Sequence, residues 1–414
     1  MCTNIPALRT YRRAWRWASL LPVVALSLKA GAALAGQAAP ASGTPPGSLS
    51  SLVAEIQSRP AYRHTSWGIR VQDLETGEVL IDQAGDKSLV PGSIMKVYST
   101  SVALDAYGQD HRFRTPVYRT GEIEGGVLDG NLVLVASGDF SLGLRDRPDG
   151  SLAFNNFPEI DHNYADTGFP GSVIIADSDP LAVLDRLAVD VRAAGISTVG
   201  GDVVIDDRLF ETYDGWPDGL IAPIWVNENV IDIQTTPSTP GEPAKVTWRP
   251  QTAAITVEGA VATVASGADP KPLQVETIRP GVVRVTGEIP VDSAPALSIA
   301  QIPEPAAFAR TAFIEALERA GVRVTADATG PNPADALPQP SLYSPERKLA
   351  EHVSPPLSEY IKVILKVSYN RGADLMLCLA AAKAGSRDCA AGIGQELALL
   401  TRLGIGDSGT YPFD

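Results

Sequence analysis

The 414-residue sequence predicts a mixed α/β fold of the α+β kind, in which a helix-rich unit is split by a long strand-rich block. Three observations predict it. From Trp67 to Asp82, WGIRVQDLETGEVLID alternates apolar and polar residues around a Glu-Thr-Gly turn, as a β-hairpin does. From Ser93, SIMKVYSTSVALDAYG places apolar residues at helical spacing, and that grammar returns at Ala306 to Gly321 and dominates from Leu357 to Leu403. Between these lie a strand-turn-strand segment after Gly108, an amphipathic helix from Leu181 to Ala194, a strand in GGDVVIDDRLF, and β-rich sequence from about Ala244 to Ile299. No internal repeat is evident, so a domain interrupted by an insertion fits better than a row of independent units.

The N-terminus has a grammar of its own. Arg12, Arg13 and Arg16 precede an apolar run from Ala18 to Leu28, and Ala33-Leu34-Ala35 then offers a small-x-small cleavage site. Residues 1–35 read as a secretory signal peptide, with an uncleaved anchor as the alternative. The apolar run is short against the roughly 20 residues that a bilayer span needs. Cys2 lies ahead of the basic residues and is poorly placed for lipidation. Residues 36–51 form a linker rich in Pro, Ser, Gly and Ala. The expected product is exported and periplasmic.

A composition of 44% hydrophobic and 20% charged residues excludes disordered and collagen-like chains. The net charge of −14 argues against nucleic acid and anionic membranes as partners, leaving at most a loose membrane-surface association. After removal of the leader, Cys378 and Cys389 remain. Export permits a disulfide between them, two buried thiols being the alternative. Four scattered histidines and no Cys/His cluster give no metal constellation, and no cofactor is implied.

Candidate chemistry centres on Ser93-Ile94-Met95-Lys96, the one place where a serine stands three residues before any of the nine lysines. Residues i and i+3 share a helix face, so the Lys96 amine can reach the Ser93 hydroxyl and act as its base if burial lowers its pKa. A helix N-terminus there would also favour an oxyanion. The spacing alone is a weak signal. A second element, Ser368-Tyr369-Asn370, lies between two apolar helical runs. Its serine can relay a proton to a leaving amine, and its carboxamide can bind a substrate amide or steady the lysine. Alone, such a triplet is usually a turn or N-cap. Asp206, Asp207 and Glu228 make poor paired carboxylates, and His64, His111, His162 and His352 read as isolated. No G-x-S-x-G elbow or phosphate-binding loop occurs.

In PGSIMK, GNLVLVASGD, GISTVGGDVVIDDRLF, WVNENVIDI and SPPLSEYIKVILKVSYN, running in that order, the chain resembles the D-alanyl-D-alanine carboxypeptidase/endopeptidase family of penicillin-binding protein 4 type, peptidase family S13. The resemblance implies a β-lactamase/penicillin-binding transpeptidase-like catalytic domain built from 52–110 and 300–414, with inserted α/β and β-rich domains across 111–299. It implies Ser93 as acylated nucleophile, Lys96 as general base, Ser368 and Asn370 as the second active-site element, peptidoglycan stem peptides as substrate and β-lactams as inhibitors. The family's third motif, Lys-Thr-Gly, does not occur. Arg119-Thr120-Gly121 lies too early and Lys383-Ala384-Gly385 falls at a helix end. The expectation is a C-terminally incomplete sequence whose activity suffers, since one oxyanion donor is worth on the order of 10² to 10³ in rate. A wall- or β-lactam-binding protein without catalysis, and a β-lactamase or esterase using the same serine, are the competing readings.

Overall fold

The computed structural model describes residues 48–155, 159–165, 171–175, 177–215 and 219–405. The leader, most of the linker and the final GDSGTYPFD lie outside the described residues. The chain divides at Leu89/Val90 into two compact units.

In the first unit, α1 (Leu49–Gln57) is capped by Ser48, whose side chain accepts from the Ser51 amide. The expected hairpin follows, with Ile69–Gln72 antiparallel to Val79–Gln83. Its turn is built by Asp73, whose carboxylate accepts from the amides of Glu75 and Thr76.

The second unit begins with the Gly92–Met95 3₁₀ turn, which runs directly into α2 (Lys96–Tyr107). Strand Arg112–Arg119 lies between Lys348–Pro356 and Leu132–Val135, antiparallel to both, and Val203–Asp206 adds to the far edge in parallel. Two helices, α3 (Ala182–Ala193) and α4 (Pro305–Arg319), pack against each other and against this sheet. In α3 the apolar side chains Val183, Leu184, Leu187, Ala188 and Val191 recur at helical spacing and are all buried, which is why the run folds as a helix against a sheet. The β-rich stretch forms two three-stranded sheets. Val230–Thr236 is central in one, and Val282–Pro290 is central in the other, parallel to Thr256–Val264.

The C-terminal helices are α5 (Leu357–Val367), α6 (Asn370–Lys383) and α7 (Ala391–Arg402). Helix α5 carries Glu359 in its first turn and Lys366 in its last, matching the helix dipole. Its apolar stripe packs into an aromatic core with Phe113, Phe140, Trp225, Tyr360 and Tyr369. Helix α2 packs on α5, α6 and α7 and is tied to α6 where the Tyr107 hydroxyl donates to the Leu379 carbonyl at 2.9 Å. Among the described residues, no helix is long and apolar enough to cross a membrane.

Cys378 on α6 and Cys389 just before α7 are joined by a disulfide. The two helices meet closely here. A Cβ built on Gly392 would stand 2.2 Å from the Leu377 carbonyl oxygen, so only glycine allows this approach. The bridge closes a loop with a sequence separation of 11. Replacing both cysteines by alanine should lower unfolding stability by about 3 kcal/mol, read from urea unfolding fitted for midpoint and slope together.

Candidate active site

Gly92, with φ of +52°, lets the chain enter the 3₁₀ turn, and the turn sets Ser93 on the same face as Lys96. Ser93 is exposed while Lys96 is 8% exposed. The Lys96 Nζ donates to Ser93 Oγ at 3.0 Å. The Ser368 hydroxyl donates to the same oxygen at 2.7 Å. The expected pair of motifs, 275 residues apart, thus converges on one oxygen. Asn370 opens α6, half-buried and two positions beyond Ser368. The two decoy tripeptides fall elsewhere: Arg119 ends a strand, and Lys383 ends α6.

Ser368 owes its position to backbone geometry. It caps α5 in the left-handed conformation, φ 60° and ψ 39°, and the next amide, from Tyr369, returns to the Ile364 carbonyl at 3.0 Å. This turns the chain from α5 into α6 and directs the Ser368 side chain at Ser93. Glycine usually fills such a position, and a serine there carries a strain of roughly 1–2 kcal/mol. The Ser368 carbonyl accepts from the Tyr164 hydroxyl.

Beneath the junction lies a buried ionic cluster. Arg145, fully buried, grips Asp161 with both terminal nitrogens at 2.7 and 3.1 Å and Glu228 with Nε, and it also donates to the Ala153 carbonyl. His162 bridges two carboxylates, Nδ1 at 2.9 Å from Asp232 and Nε2 at 3.2 Å from Glu228. Arg249 completes the set at 2.9 Å from Asp232. Burial alone would push the His162 pKa down, but Asp232 and Glu228 outweigh it and hold it at about 9. Burial likewise opposes ionisation of Glu228, yet Arg145 and His162 hold its carboxyl well below the usual range. Three cations then face three carboxylates, the balance a dry interior requires.

Asp161, His162 and Glu228 group their ligand atoms closely enough to suggest a metal, but the Arg145 guanidinium already sits between the two carboxylates. The cluster reads as structural. Its sequence signal was slight. His162 looked isolated because its partners lie 66 and 70 positions on, and Glu228 looked like loop sequence. It is one of three successive residues, Asn227, Glu228 and Asn229, all near φ of +50° to +56°. Asparagine tolerates that region, and both flanking carboxamides donate to main-chain carbonyls, Asn227 to Val230 and Asn229 to Ile224. The Asn-Glu-Asn triplet was the one available clue. A second group gathers the buried Asp139, His352 and Tyr360 beside the more exposed Asp146. The Tyr360 hydroxyl donates to Asp139 at 2.6 Å, and burial and Asp139 raise Asp146 to about 6.

A family model described as the D-Ala-D-Ala carboxypeptidase 3 (S13) family matches residues 49–406. A D-alanyl-D-alanine carboxypeptidase of an Actinomadura species is 29% identical over 379 residues, 86% of this chain and 61% of that protein. The D-alanyl-D-alanine carboxypeptidase DacB of Haemophilus influenzae is 22% identical over 152 residues, 36% of this chain and 24% of that protein. The crystal structure of penicillin-binding protein 4 from the same organism superposes with a TM-score of 0.60 at 22% identity, covering 82% of this chain and 68% of its own. Its complex with a novel β-lactam gives a TM-score of 0.57 at 21% identity, over 82% and 66%. These likenesses show a penicillin-binding-protein fold with additional domains, and the chain spans about three-fifths of the length of its Actinomadura relative.

The cluster makes a pH prediction. The folded His162 pKa is raised above its unfolded value near 6.5, so its stabilisation is complete below that pH and is lost as pH rises through about 9. Urea unfolding between pH 6 and 9.5 should show a loss on the order of 3 kcal/mol from this group. In His162→Asn, which leaves Glu228 and Asp232 short of a cation, stability at pH 7 should fall by about 3–5 kcal/mol and that alkaline slope should flatten.

Proposed function

The chain belongs to the D-Ala-D-Ala carboxypeptidase 3 (S13) family, and from that membership we propose that it is a serine-type D-Ala-D-Ala carboxypeptidase/endopeptidase acting on peptidoglycan stem peptides. One observation carries the reading: Lys96 Nζ and the Ser368 hydroxyl meet on Ser93 Oγ at 3.0 and 2.7 Å. An exposed nucleophile held between a lysine amine and a second hydroxyl is the arrangement that acyl transfer needs.

In this proposal Lys96, as the free amine, takes the Ser93 proton while Oγ attacks the carbonyl of the penultimate D-alanine. The oxyanion forms near the amino end of the helical run that begins at Gly92, where the dipole is favourable. As the intermediate collapses, the C–N bond breaks and the terminal D-alanine amine leaves with a proton relayed through Ser368. Water then attacks the Ser93 ester, returning the proton through the same groups and releasing the shortened peptide. Asn370 binds the substrate amide or steadies Lys96. A β-lactam would acylate Ser93 in the same way and deacylate slowly. Its amide mimics the scissile bond, and the β-lactam complex of the Haemophilus relative supports this arm.

The proposal includes a catalytic domain of 52–110 and 300–414 interrupted by 111–299, and export to the periplasm by the leader of residues 1–35. The two motifs that flank the long intervening stretch support the first, and Arg12, Arg13, Arg16 and the apolar run support the second. A mature N-terminus at Gly36, read by intact mass of the secreted protein, tests the leader. A penicillin-binding protein without turnover is the second reading.

Incubation with a fluorescent penicillin followed by mass spectrometry should place one adduct on Ser93, absent in Ser93→Ala with the fold retained. Surviving label in that variant would sink the nucleophile assignment. Lys96→Ala and Ser368→Ala should each slow acylation by on the order of 10² to 10⁴ at pH 7. An adduct without release of D-alanine from a stem pentapeptide would favour the second reading.

A further inference from the structure

Ser368 reaches Ser93 only while its backbone stays in the left-handed region, which serine adopts rarely and at a cost. Three residues from the 111–299 stretch, Tyr164, Phe140 and Arg145, lie around that strained peptide and the residue after it. The Tyr164 hydroxyl donates to the Ser368 carbonyl. The next residue, Tyr369, is buried at 2% exposure, its ring edge-on to Phe140 at 5.2 Å and flanked by the guanidinium carbons of Arg145 at 6.0 Å and Arg371 at 5.7 Å.

Tyr164 is itself placed by the ionic cluster. It ends the His162–Tyr164 3₁₀ turn, and the first residue of that turn is locked between Asp232 and Glu228. A continuous set of contacts thus runs from the buried ions through one turn of chain to the carbonyl of Ser368. Rotation of the peptide after Ser368 would break the bond to Tyr164, and the accompanying change in φ and ψ would swing the Ser368 hydroxyl off Ser93.

We propose that Tyr164 is a positioning residue for the acyl transfer described above: by holding the Ser368 carbonyl it keeps the left-handed peptide, and hence the proton-relaying hydroxyl, aimed at Ser93. This rests on the acylation reading for its kinetic consequence, while its structural consequence stands apart. Tyr164 touches Ser368 through the main chain, so losing its hydroxyl should slow the chemical step without weakening the initial encounter. It is half-buried, and removal of one oxygen leaves its ring in place.

The test is Tyr164→Phe in the full chain, read two ways. Acylation by a fluorescent penicillin is followed across concentration to separate the acylation rate constant from the dissociation constant of the first complex. Hydrogen exchange is followed at the Tyr369 amide, which closes the cap on Ile364. A neutral hydrogen bond is worth about 0.5–1.5 kcal/mol, so acylation should slow by roughly 3- to 10-fold at unchanged affinity, with exchange at that amide faster by a similar factor. Slowed acylation with unchanged exchange would overturn the proposal by making Tyr164 a direct contact of the ligand. So would a weakened first complex with an unchanged rate constant, or faster exchange with unaltered acylation. If the parent protein takes no label, the acylation reading falls on its own, and the exchange result alone decides whether Tyr164 holds the Ser368 peptide.

Discussion

The 2.7 Å contact between the hydroxyls of Ser368 and Ser93 joins residues 275 positions apart, so no local preference can make it. It exists because α2, which carries Lys96, packs on the pair formed by α5 and α6, and because the junction of that pair turns through a left-handed serine. Much of the second unit secures these helices. The Tyr107 bond to Leu379, the disulfide from α6, and the aromatic core around Tyr360 and Tyr369 all fix the helices whose ends carry Lys96 and Ser368.

Burying five charged groups beside this junction, with the partly exposed Arg249 at their edge, has an energetic logic opposed to that of the aromatic core. Burial of Phe140 or Trp225 is favourable in itself. Burial of Arg145, Glu228 or Asp232 is unfavourable until every partner is in place, so the cluster contributes less to net stability than to the choice of one arrangement over others. Its geometry is two-dimensionally constrained by planar groups: a guanidinium between Asp161 and Glu228, and an imidazole between that same Glu228 and Asp232. Such a set rejects small displacements, and it is joined to the Ser368 carbonyl through the His162–Tyr164 turn.

The order of elements was legible in the sequence because each has a strong local period: the alternating hairpin at 67–82, the α3 stripe of Val183 to Val191, and the C-terminal helices. The separation of the 357–403 stretch at Ser368 was visible in its position between two apolar runs. Ser93, Lys96 and Ser368 could be named from spacing and from resemblance, and they do stand within hydrogen-bond distance. The ionic cluster could not be read. Arg145, Asp161, His162, Glu228, Asp232 and Arg249 come from four separate stretches, and charged residues in polar sequence look like solvated surface. Only folding reveals that all but Arg249 are dry. The two-unit division at Leu89 also has no compositional mark, since Ser88-Leu89-Val90-Pro91 reads as ordinary connecting sequence.

The left-handed backbone at position 368 places two demands on one residue. The conformation favours glycine, which has no Cβ to crowd the carbonyl, whereas the contact with Ser93 needs a hydroxyl. A population of variants ranked by heat resistance alone would therefore drift at this position toward a protein that is sturdier and mute. Under the proposed acyl transfer, selection for reaction opposes selection for rigidity here, and serine is the compromise between them.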